Sequence, residues 1–475
     1  MIRKIFTRLY VVLFTLILLI PFAGMAFPPA ESAGAKNQEL RAWPALYSED
    51  GRLNLSYPSG MGNYFQDHFA LRDQLIMANA GLKSLTVKSD AQEQVIMGRE
   101  DWLFFNATTK DYLGKALLSD RELFSAAHNL SLMKDYVERN GSKLILTISP
   151  NKNSLYGRYM PYNYLQNPVS NAKNLKPLLE TAGIDYVDLF ETFGAEDEVL
   201  YFRRDSHWNN KGAALASHAL MDAFGKPHQT YGEADWETRT DHVGDIDEML
   251  FLSAYKNEKQ YYPKEEFTYE VVNDAEDNMA SWIETANASK EGCLLMYRDS
   301  FGESLVPFFA QEFGEAYFSR LVPYDLTDVE TYQPEYTVIQ KVERNLIDFV
   351  ARSAIMPGLP ADPVSAAEKE TNSTIETASD GPYLVVSGKV DLQCLAEKSE
   401  IFLSLYSEEA GRTETYQTMY LSNEEREGNG YSLYLEEESL PPGALRIQLI
   451  VSNGGESFVV KTETYENESG GDRHE

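Results

Sequence analysis

Apolar and polar residues follow two different rhythms along this chain. From Val95 to about residue 355, short apolar runs alternate with stretches whose apolar residues recur at helical spacing. Lys143–Ile148 predicts a buried strand, and Ser119 opens a capping-box pattern for a helix that reaches about Arg139. Strands that alternate with helices predict a mostly parallel sheet with helices on both faces, where ligands bind beyond the carboxyl ends of the strands.

The same reasoning assigns the other main elements of this region. The segment 225–290 is rich in charge and tyrosine. It predicts a loop and an added antiparallel excursion that covers the ligand site expected at the carboxyl ends of the strands. The pattern predicts helices over 171–182, 213–224 and 303–313, a helix carrying Arg344 and Asn345, and strands over 185–189, 293–297 and 336–339.

The C-terminal part changes to a period of two. Residues 357–380, rich in Pro, Ala, Ser, Thr and Glu, predict a linker, and residues 381–475 then predict a β-sandwich. The strand-like runs are 383–387, 400–406, 415–421, 431–435, 444–451 and 457–461. Its many tyrosines fit either ordinary strand positions, the interpretation that we favour, or aromatic faces that bind polysaccharide.

The first thirty residues read as a targeting segment. Arg3, Lys4 and Arg8 precede an uncharged stretch, Leu9–Ala30, whose centre is apolar enough to enter a bilayer. The segment is a signal peptide or, as its length favours, an uncleaved membrane anchor. Positive charge on its N-terminal side predicts that residues 31–356, the main α/β domain, and everything after them are exported.

Charge and cysteine content limit the binding partners, disulfides and metal sites that the sequence allows. The formal net charge of −31 over 475 residues excludes nucleic acid and an anionic membrane surface, because no basic patch is visible in the sequence. Cys293 and Cys394 each lie in an apolar strand-like run, so we expect buried free thiols and no disulfide. No Cys/His cluster has zinc spacing, so neither a metal nor a cofactor is predicted.

Two polar stretches carry candidate chemistry. Asp205 and His207 stand two residues apart before a helix, and a carboxylate beside an imidazole fixes its tautomer for general-base work. Ser300, in a glycine-containing turn after an apolar strand, supplies a nucleophile. Structural alternatives exist for both: Ser300 and Glu303 form a capping-box pattern, and Asp205 and His207 fit a polar turn capped by Asn209 or Asn210.

These stretches carry a family resemblance. Asp205–Trp208 before a small-residue helix, and a later strand ending in Asp299–Gly302, resemble the SGNH-hydrolase-like domains of the alginate O-acetyltransferase family and its DHHW-named relatives. In that family Asp-x-His also precedes the serine. The tetrapeptide here is Asp-Ser-His-Trp instead of Asp-His-His-Trp, which keeps the acid and the base. Further likeness lies in 95–105, 148–152 and 342–346, so that the resemblance covers roughly residues 37–355.

The resemblance implies an SGNH-hydrolase-like fold and a catalytic triad. His207 takes the proton of Ser300, Asp205 orients the imidazolium, and Ser300 holds an acyl group before passing it on. Backbone N–H groups at the start of the following helix would stabilise the oxyanion. The side chains assigned to the oxyanion or the substrate are Asn151, Lys152, Tyr156 and Arg298.

The implied function is that of an extracytoplasmic polysaccharide O-acetyltransferase. Because acetyl-CoA is cytoplasmic, a membrane-bound O-acyltransferase would supply the acyl donor, and a polysaccharide would be the acceptor. The protein would be anchored at the cell membrane, or secreted or periplasmic if the N-terminal segment is cleaved. Two alternatives stay open: a carbohydrate acetylesterase with the same triad, and a non-catalytic cell-envelope protein that binds or assembles polysaccharide.

Overall fold

The computed structural model describes residues 8, 10, 14–15, 43–47, 54, 56–68, 94–250, 256–423 and 426–467. Apart from its four described positions, the predicted signal or anchor segment, residues 1–30, lies outside these ranges. Within them, no helix combines the length and the apolar character needed to cross a membrane.

Short helices and strands alternate along the described residues. The helices are α1 Tyr57–His68, α2 Thr109–Tyr112, α3 Asp120–Arg139, α4 Lys152–Tyr156, α5 Asn171–Thr181, α6 Leu189–Gly194, α7 Asn210–Phe224, α8 Asp245–Leu250, α9 Val306–Glu312, α10 Asp328–Tyr332 and α11 Asp348–Ala351. The strands as far as residue 342 are β1 Val95–Met97, β2 Leu103–Phe105, β3 Lys143–Ser149, β4 Tyr186–Val187, β5 Trp236–His242, β6 Glu258–Pro263, β7 Glu270–Val271, β8 Trp282–Ala286, β9 Cys293–Tyr297, β10 Glu315–Ser319 and β11 Tyr336–Val342. The later strands are β12 Pro360–Ala361, β13 Ala367–Glu368, β14 Glu376–Asp380, β15 Tyr383–Lys389, β16 Glu400–Ser407, β17 Arg412–Gln417, β18 Met419–Asn423, β19 Arg426–Glu436, β20 Gly443–Asn453 and β21 Glu456–Asn467.

The chain divides into two compact units, and the first is assembled from three segments. It comprises residues 1–106, 202–206 and 240–259. Strands β1 and β2 form an antiparallel pair, and helix α8 belongs to the same unit. The buried residues Val95, Leu103, Ile246 and Leu250 form its small apolar core. A backbone hydrogen bond from Leu103 N to Arg203 O, at 2.9 Å, ties the segment around residue 205 to strand β2.

The second unit, residues 107–201, 207–239 and 260–475, contains the central sheet. Its seven strands lie in the order β4-β3-β11-β9-β10-β8-β7. The first five are parallel, and β8 and β7 are added antiparallel at one edge. The predicted mostly parallel α/β domain is therefore confirmed, and β7 and β8 are the antiparallel addition expected within 225–290.

Helix α3 shows how sequence pattern becomes packing in this unit. Ser119 and Glu122 form the predicted capping box, which satisfies two N-terminal backbone groups. One face of the helix buries Leu130 and Val137 completely against the sheet. Burial of each such side chain stabilises the fold by about 1.5–3 kcal/mol.

Three predicted elements differ from the structure. The strand expected over 185–189 is reduced to β4, because the Asp188 carboxylate accepts from Phe190 N and Glu191 N and so starts helix α6. The helix expected over 303–313 is instead a 3₁₀ turn, Ser300–Ser304, followed by α9. Arg344 and Asn345 likewise lie in a 3₁₀ turn.

The C-terminal part is rich in β-structure, as predicted. One sheet has the order β12-β17-β16-β20-β21-β13 and a second has the order β14-β15-β19-β18, and their buried residues share one core. The predicted strand 415–421 is split at Thr418, where the chain passes from the first sheet to the second. The segment 357–380, expected to be a linker, supplies β12, β13 and β14, because its backbone groups pair with strands of these sheets. The predicted domain limits at residues 356 and 381 stay a prediction.

Candidate active site

The turn after strand β9 presents Ser300 at the carboxyl edge of the sheet. Asp299 caps this turn: its Oδ1 accepts from Phe301 N at 3.0 Å and its Oδ2 accepts from Val342 N at 2.6 Å. Gln340 adds two bonds, accepting from Asp299 N and donating to Asp299 Oδ1, both at 3.0 Å. The turn is thus fixed to the neighbouring strand β11, and its cap is Asp299, not Ser300.

Ser300 faces His207. The Ser300 Oγ and His207 Nε2 atoms are 2.9 Å apart, which is the separation of a nucleophile and its base. Both residues are half-buried and so keep access to solvent. The helix after His207 is capped by Asn209, whose side chain accepts from Gly212 N, as one of the two structural alternatives predicted. That cap leaves the imidazole available to the serine.

Aromatic packing holds this pair in place. Trp208 is almost fully buried, and its Nε1 donates to Ser304 Oγ at 2.6 Å. The Phe301 ring centroid lies 4.8 Å from that of His207 and 5.0 Å from that of Trp208. Rings that pack this closely restrict the side-chain torsions of both stretches, so the Ser300–His207 geometry is built into the folded chain.

Asp205 belongs to the first unit, where it is nearly fully buried. Its Oδ2 accepts from His242 Nε2 at 2.9 Å and from Asp245 N at 3.0 Å. The sequence analysis missed His242, because that residue stands alone within a segment interpreted as an excursion. The action of Asp205 on His207 stays a prediction from their spacing.

The preceding residue anchors the Asp205 segment. The guanidinium of Arg204 donates to Asp101 Oδ1 at 2.8 Å, and its Nε donates to Asp247 Oδ1 at 3.0 Å. A second, shorter bond joins Arg204 Nη2 to the same Asp247 oxygen. Gly244 lies against this segment so closely that a Cβ would meet Arg204 O at 2.3 Å. Only glycine permits that approach.

Asn151 and Lys152 follow strand β3 at the same edge of the sheet. Asn151 N donates to the Glu343 carboxylate at 3.0 Å, whereas the Asn151 side-chain amide is fully buried, forms no hydrogen bond of normal geometry among the described residues, and interacts with the Asp111 carboxyl. Lys152 is also buried. A buried amide that lacks a well-formed hydrogen bond is costly, so it is a natural donor for an oxygen that a substrate brings.

Two carboxyl groups lie around Asn151. Burial raises the pKa of Glu343 to about 7, although bonds from the Ser154 hydroxyl and Asn151 N oppose that rise. Burial likewise raises the pKa of Asp111 to about 6, opposed by neighbouring Asn151 and Arg344. The Arg344 guanidinium lies 5.6 Å from the centroid of Phe301, the residue after the serine. The sequence pattern gave no sign of this acidic pair.

Tyr156 and Arg298 are held by structural contacts. The Tyr156 hydroxyl accepts from Leu200 N at 3.0 Å. Arg298 is 1% exposed, and its Nη2 donates to the carbonyl oxygens of Asn278 and Ala280 at 2.7 and 3.0 Å. Arg298 therefore ties the serine turn to a neighbouring loop, and the contacts of Tyr156 and Arg298 with substrate stay a prediction.

Comparison with known proteins identifies this domain type. Residues 95–290 match the family model described as the SGNH hydrolase-like domain of acetyltransferase AlgX. The resemblance to the alginate O-acetyltransferase family is confirmed. The AlgX-type match includes Asn151, Asp205 and His207 and ends before Ser300.

Two curated relatives and one solved structure extend the comparison. The probable alginate O-acetylase AlgJ of Pseudomonas syringae pv. tomato is 26% identical over 192 residues, which are 38% of this chain and 46% of that protein. The protein of the same name from Pseudomonas putida is 26% identical over 159 residues, 30% of this chain and 37% of the relative. The chain thus spans less than half the length of these relatives. Bacillus cereus PatB1 is 18% identical with a TM-score of 0.43, over 53% of this chain and 96% of that one.

Proposed function

We propose that this protein is an extracytoplasmic polysaccharide O-acetyltransferase that works through an acyl-serine intermediate. The observation that carries the proposal is the 2.9 Å separation of Ser300 Oγ and His207 Nε2. His207 removes the hydroxyl proton as the Ser300 oxygen attacks the carbonyl carbon of an acetyl donor, and the donor's leaving group takes a proton from the imidazolium. An acceptor hydroxyl then attacks the acyl-serine, with His207 again as base.

The developing oxyanion has nearby donors. The serine stands at the beginning of a 3₁₀ turn in which Phe301 N and Gly302 N donate to Asp299, so we assign Ser300 N–H as the backbone donor to the oxyanion. The buried Asn151 amide is the side-chain donor, with Lys152 beside it in sequence. Asp205 orients His207 and stabilises its imidazolium, and His242 is hydrogen-bonded to the Asp205 carboxylate.

The partners follow from the chemistry. A polysaccharide is the acceptor, and a membrane-bound O-acyltransferase supplies the acyl group from the cytoplasmic pool. The curated relatives, which are named as probable alginate O-acetylases, support transfer over hydrolysis. The N-terminal segment keeps the protein at the outer face of the membrane.

Mass spectrometry of the intact protein after incubation with an activated acetyl ester tests this function. We expect an adduct one acetyl group heavier, which is absent in Ser300→Ala and present in Ser304→Ala, the matched control four residues away. Acetyl appearing on an added oligosaccharide identifies a transferase, whereas free acetate alone identifies an esterase. An adduct that survives in Ser300→Ala, or its absence from the wild-type protein with several activated esters, would overturn the mechanism.

A further inference from the structure

Two loops of the second unit lie side by side near the start of helices α3 and α5. The first comprises residues 113–118 and the second residues 160–170, and we name them together the loop pair. Asn167 N donates to Tyr112 O at 2.8 Å. The Asn171 side chain donates to Ala116 O at 2.9 Å and accepts from Leu118 N at 2.8 Å. These bonds hold the loops together at both ends.

The loop pair exposes large apolar side chains. Tyr162 is 82% exposed and Leu165 is 76% exposed, and Val169 and Leu117 are 41% and 40% exposed. Single exposed apolar residues are ordinary on protein surfaces. Four of them on two joined loops, however, are typical of a surface that meets an apolar partner.

Basic residues outnumber acidic ones around these side chains, where Asp111 and Asp120 are the acidic residues that flank the first loop. Lys110, Lys115, Arg158 and Lys173 are exposed, and none of them forms an ion pair within the part of the chain that the structure describes. Residues 150–179 contain no Asp or Glu, in a chain that has 73 acidic and 42 basic residues. The sequence analysis excluded an anionic membrane surface because no basic patch was visible. The cations around the loop pair come from segments about fifty residues apart, which is why no basic patch is visible along the sequence.

We propose that the loop pair docks onto an anionic phospholipid bilayer. Its tyrosine and aliphatic side chains enter the interfacial layer, and the four cations meet lipid phosphates. The aliphatic side chains of Leu165 and Val169 favour a lipid over a glycan as the partner. Branched aliphatic side chains gain by leaving water for acyl chains, whereas sugar rings are recognised by flat aromatic faces.

The loop pair is connected to the elements that carry the candidate active site. The chain runs from Asn151 through helix α4 directly into the second loop. The Asn153 amide also donates to Thr108 Oγ1 at 2.9 Å, next to the helix that leads to the first loop. We therefore expect docking to bring the carboxyl edge of the central sheet close to the bilayer. The inference stands on surface chemistry and does not depend on acyl transfer.

A fluorescent label at the loop tip tests the docking in the full-length chain. The two native cysteines should not react with a thiol-specific label, because burial raises the pKa of the Cys293 thiol to about 12 and Cys394 is buried. An NBD label therefore reacts selectively with a cysteine introduced by Tyr162→Cys. With vesicles of phosphatidylglycerol and phosphatidylcholine, we expect a blue-shifted emission that nitroxide on the lipid acyl chains quenches. The shift should disappear with phosphatidylcholine alone and after replacing Lys110, Lys115, Arg158 and Lys173 together by Gln.

Leu392→Cys is the matched control. Leu392 is 55% exposed in the C-terminal β-rich part, so its label reports recruitment to the vesicle by any other segment of the chain. Equal responses at positions 162 and 392, or an unquenched label at 162 in anionic vesicles, would overturn the proposal. A response to soluble polygalacturonate but not to vesicles would replace the bilayer with an anionic glycan.

Discussion

Trp208 donates its indole N–H to Ser304 Oγ at 2.6 Å, so the residue after the proposed base is bonded to the last residue of the turn that begins with the proposed nucleophile. The bond joins two stretches almost a hundred residues apart in the chain. It gives the 2.9 Å approach of His207 to Ser300 a structural support outside the reacting atoms.

Removing that support should slow acylation without abolishing it. Trp208→Phe keeps most of the ring packing and loses one buried hydrogen bond, worth about 1 kcal/mol, so we expect an acylation rate roughly five- to tenfold lower. Ser304→Ala should have a similar effect, and the double variant should be no worse than either. Burst-phase kinetics with an activated ester measure all three, and additive effects would contradict the shared bond.

Replacing Asn151 and Asn153 in turn should distinguish an oxyanion donor from an asparagine that only stabilises the fold. Asn151→Ala removes the buried amide, and we expect kcat to fall by about 10²–10³ with KM for the donor unchanged. Asn153 already donates to Thr108 Oγ1, so Asn153→Ala should lower the free energy of unfolding instead. Steady-state kinetics and urea unfolding of the two variants check this, and a fall in kcat common to both would argue against an oxyanion role.

Asp205 should matter through its charge. Asp205→Asn keeps the shape but lacks the carboxylate that stabilises an imidazolium, so we expect kcat to be lower by roughly 10³–10⁴. His242→Gln retains a donor toward Asp205 and should cost far less than His242→Ala. The pH profile of kcat measures the effect, because loss of Asp205 should also lower the apparent pKa of His207. A profile that keeps its midpoint in Asp205→Asn would contradict the assignment.

Arg298 should be a positioning residue. Its buried guanidinium bonds the Asn278 and Ala280 carbonyls, so Arg298→Lys should lower the free energy of unfolding by about 2–3 kcal/mol and reduce kcat while KM for the acceptor stays constant. Arg320→Lys is the control, because Arg320 pairs with Glu303 in a more exposed setting. If Arg298→Lys raised KM alone, contact with substrate would be the better interpretation.

Glu343 predicts a dependence of stability on pH. Its pKa is about 7 in the folded protein against an ordinary 4.5, so between these values the folded state binds the proton more strongly than the unfolded state. The free energy of unfolding should therefore fall as the pH rises from about 4.5 to about 7, by up to ~3 kcal/mol. Glu343→Gln cannot ionise and should flatten this slope in urea titrations at a series of pH values. An unchanged dependence of the free energy of unfolding on pH in Glu343→Gln would mean that a different group titrates.

Local patterns in the amino-acid sequence were enough to predict several elements of the fold. Periodic apolar positions gave strands β3 and β9, and the Ser119–Glu122 capping box gave the start of α3, because these patterns act within a few residues. The Asp-x-His and Asp-Ser-Phe-Gly stretches likewise marked the residues that we propose as base and nucleophile. The prediction of one continuous strand over 415–421 was wrong, because the chain changes sheet at Thr418 and an alternation of apolar and polar residues does not show where that happens.

Features that depend on residues distant in sequence became visible in the folded chain alone. The tertiary structure brought Ser300 to His207, assigned the cap of the serine turn to Asp299 through strand β11, and placed His242 against Asp205. The raised pKa of Glu343 and the basic surroundings of the loop pair arise in the same way. Burial and surface charge are sums over neighbours from separate segments, and no local pattern encodes which segments become neighbours.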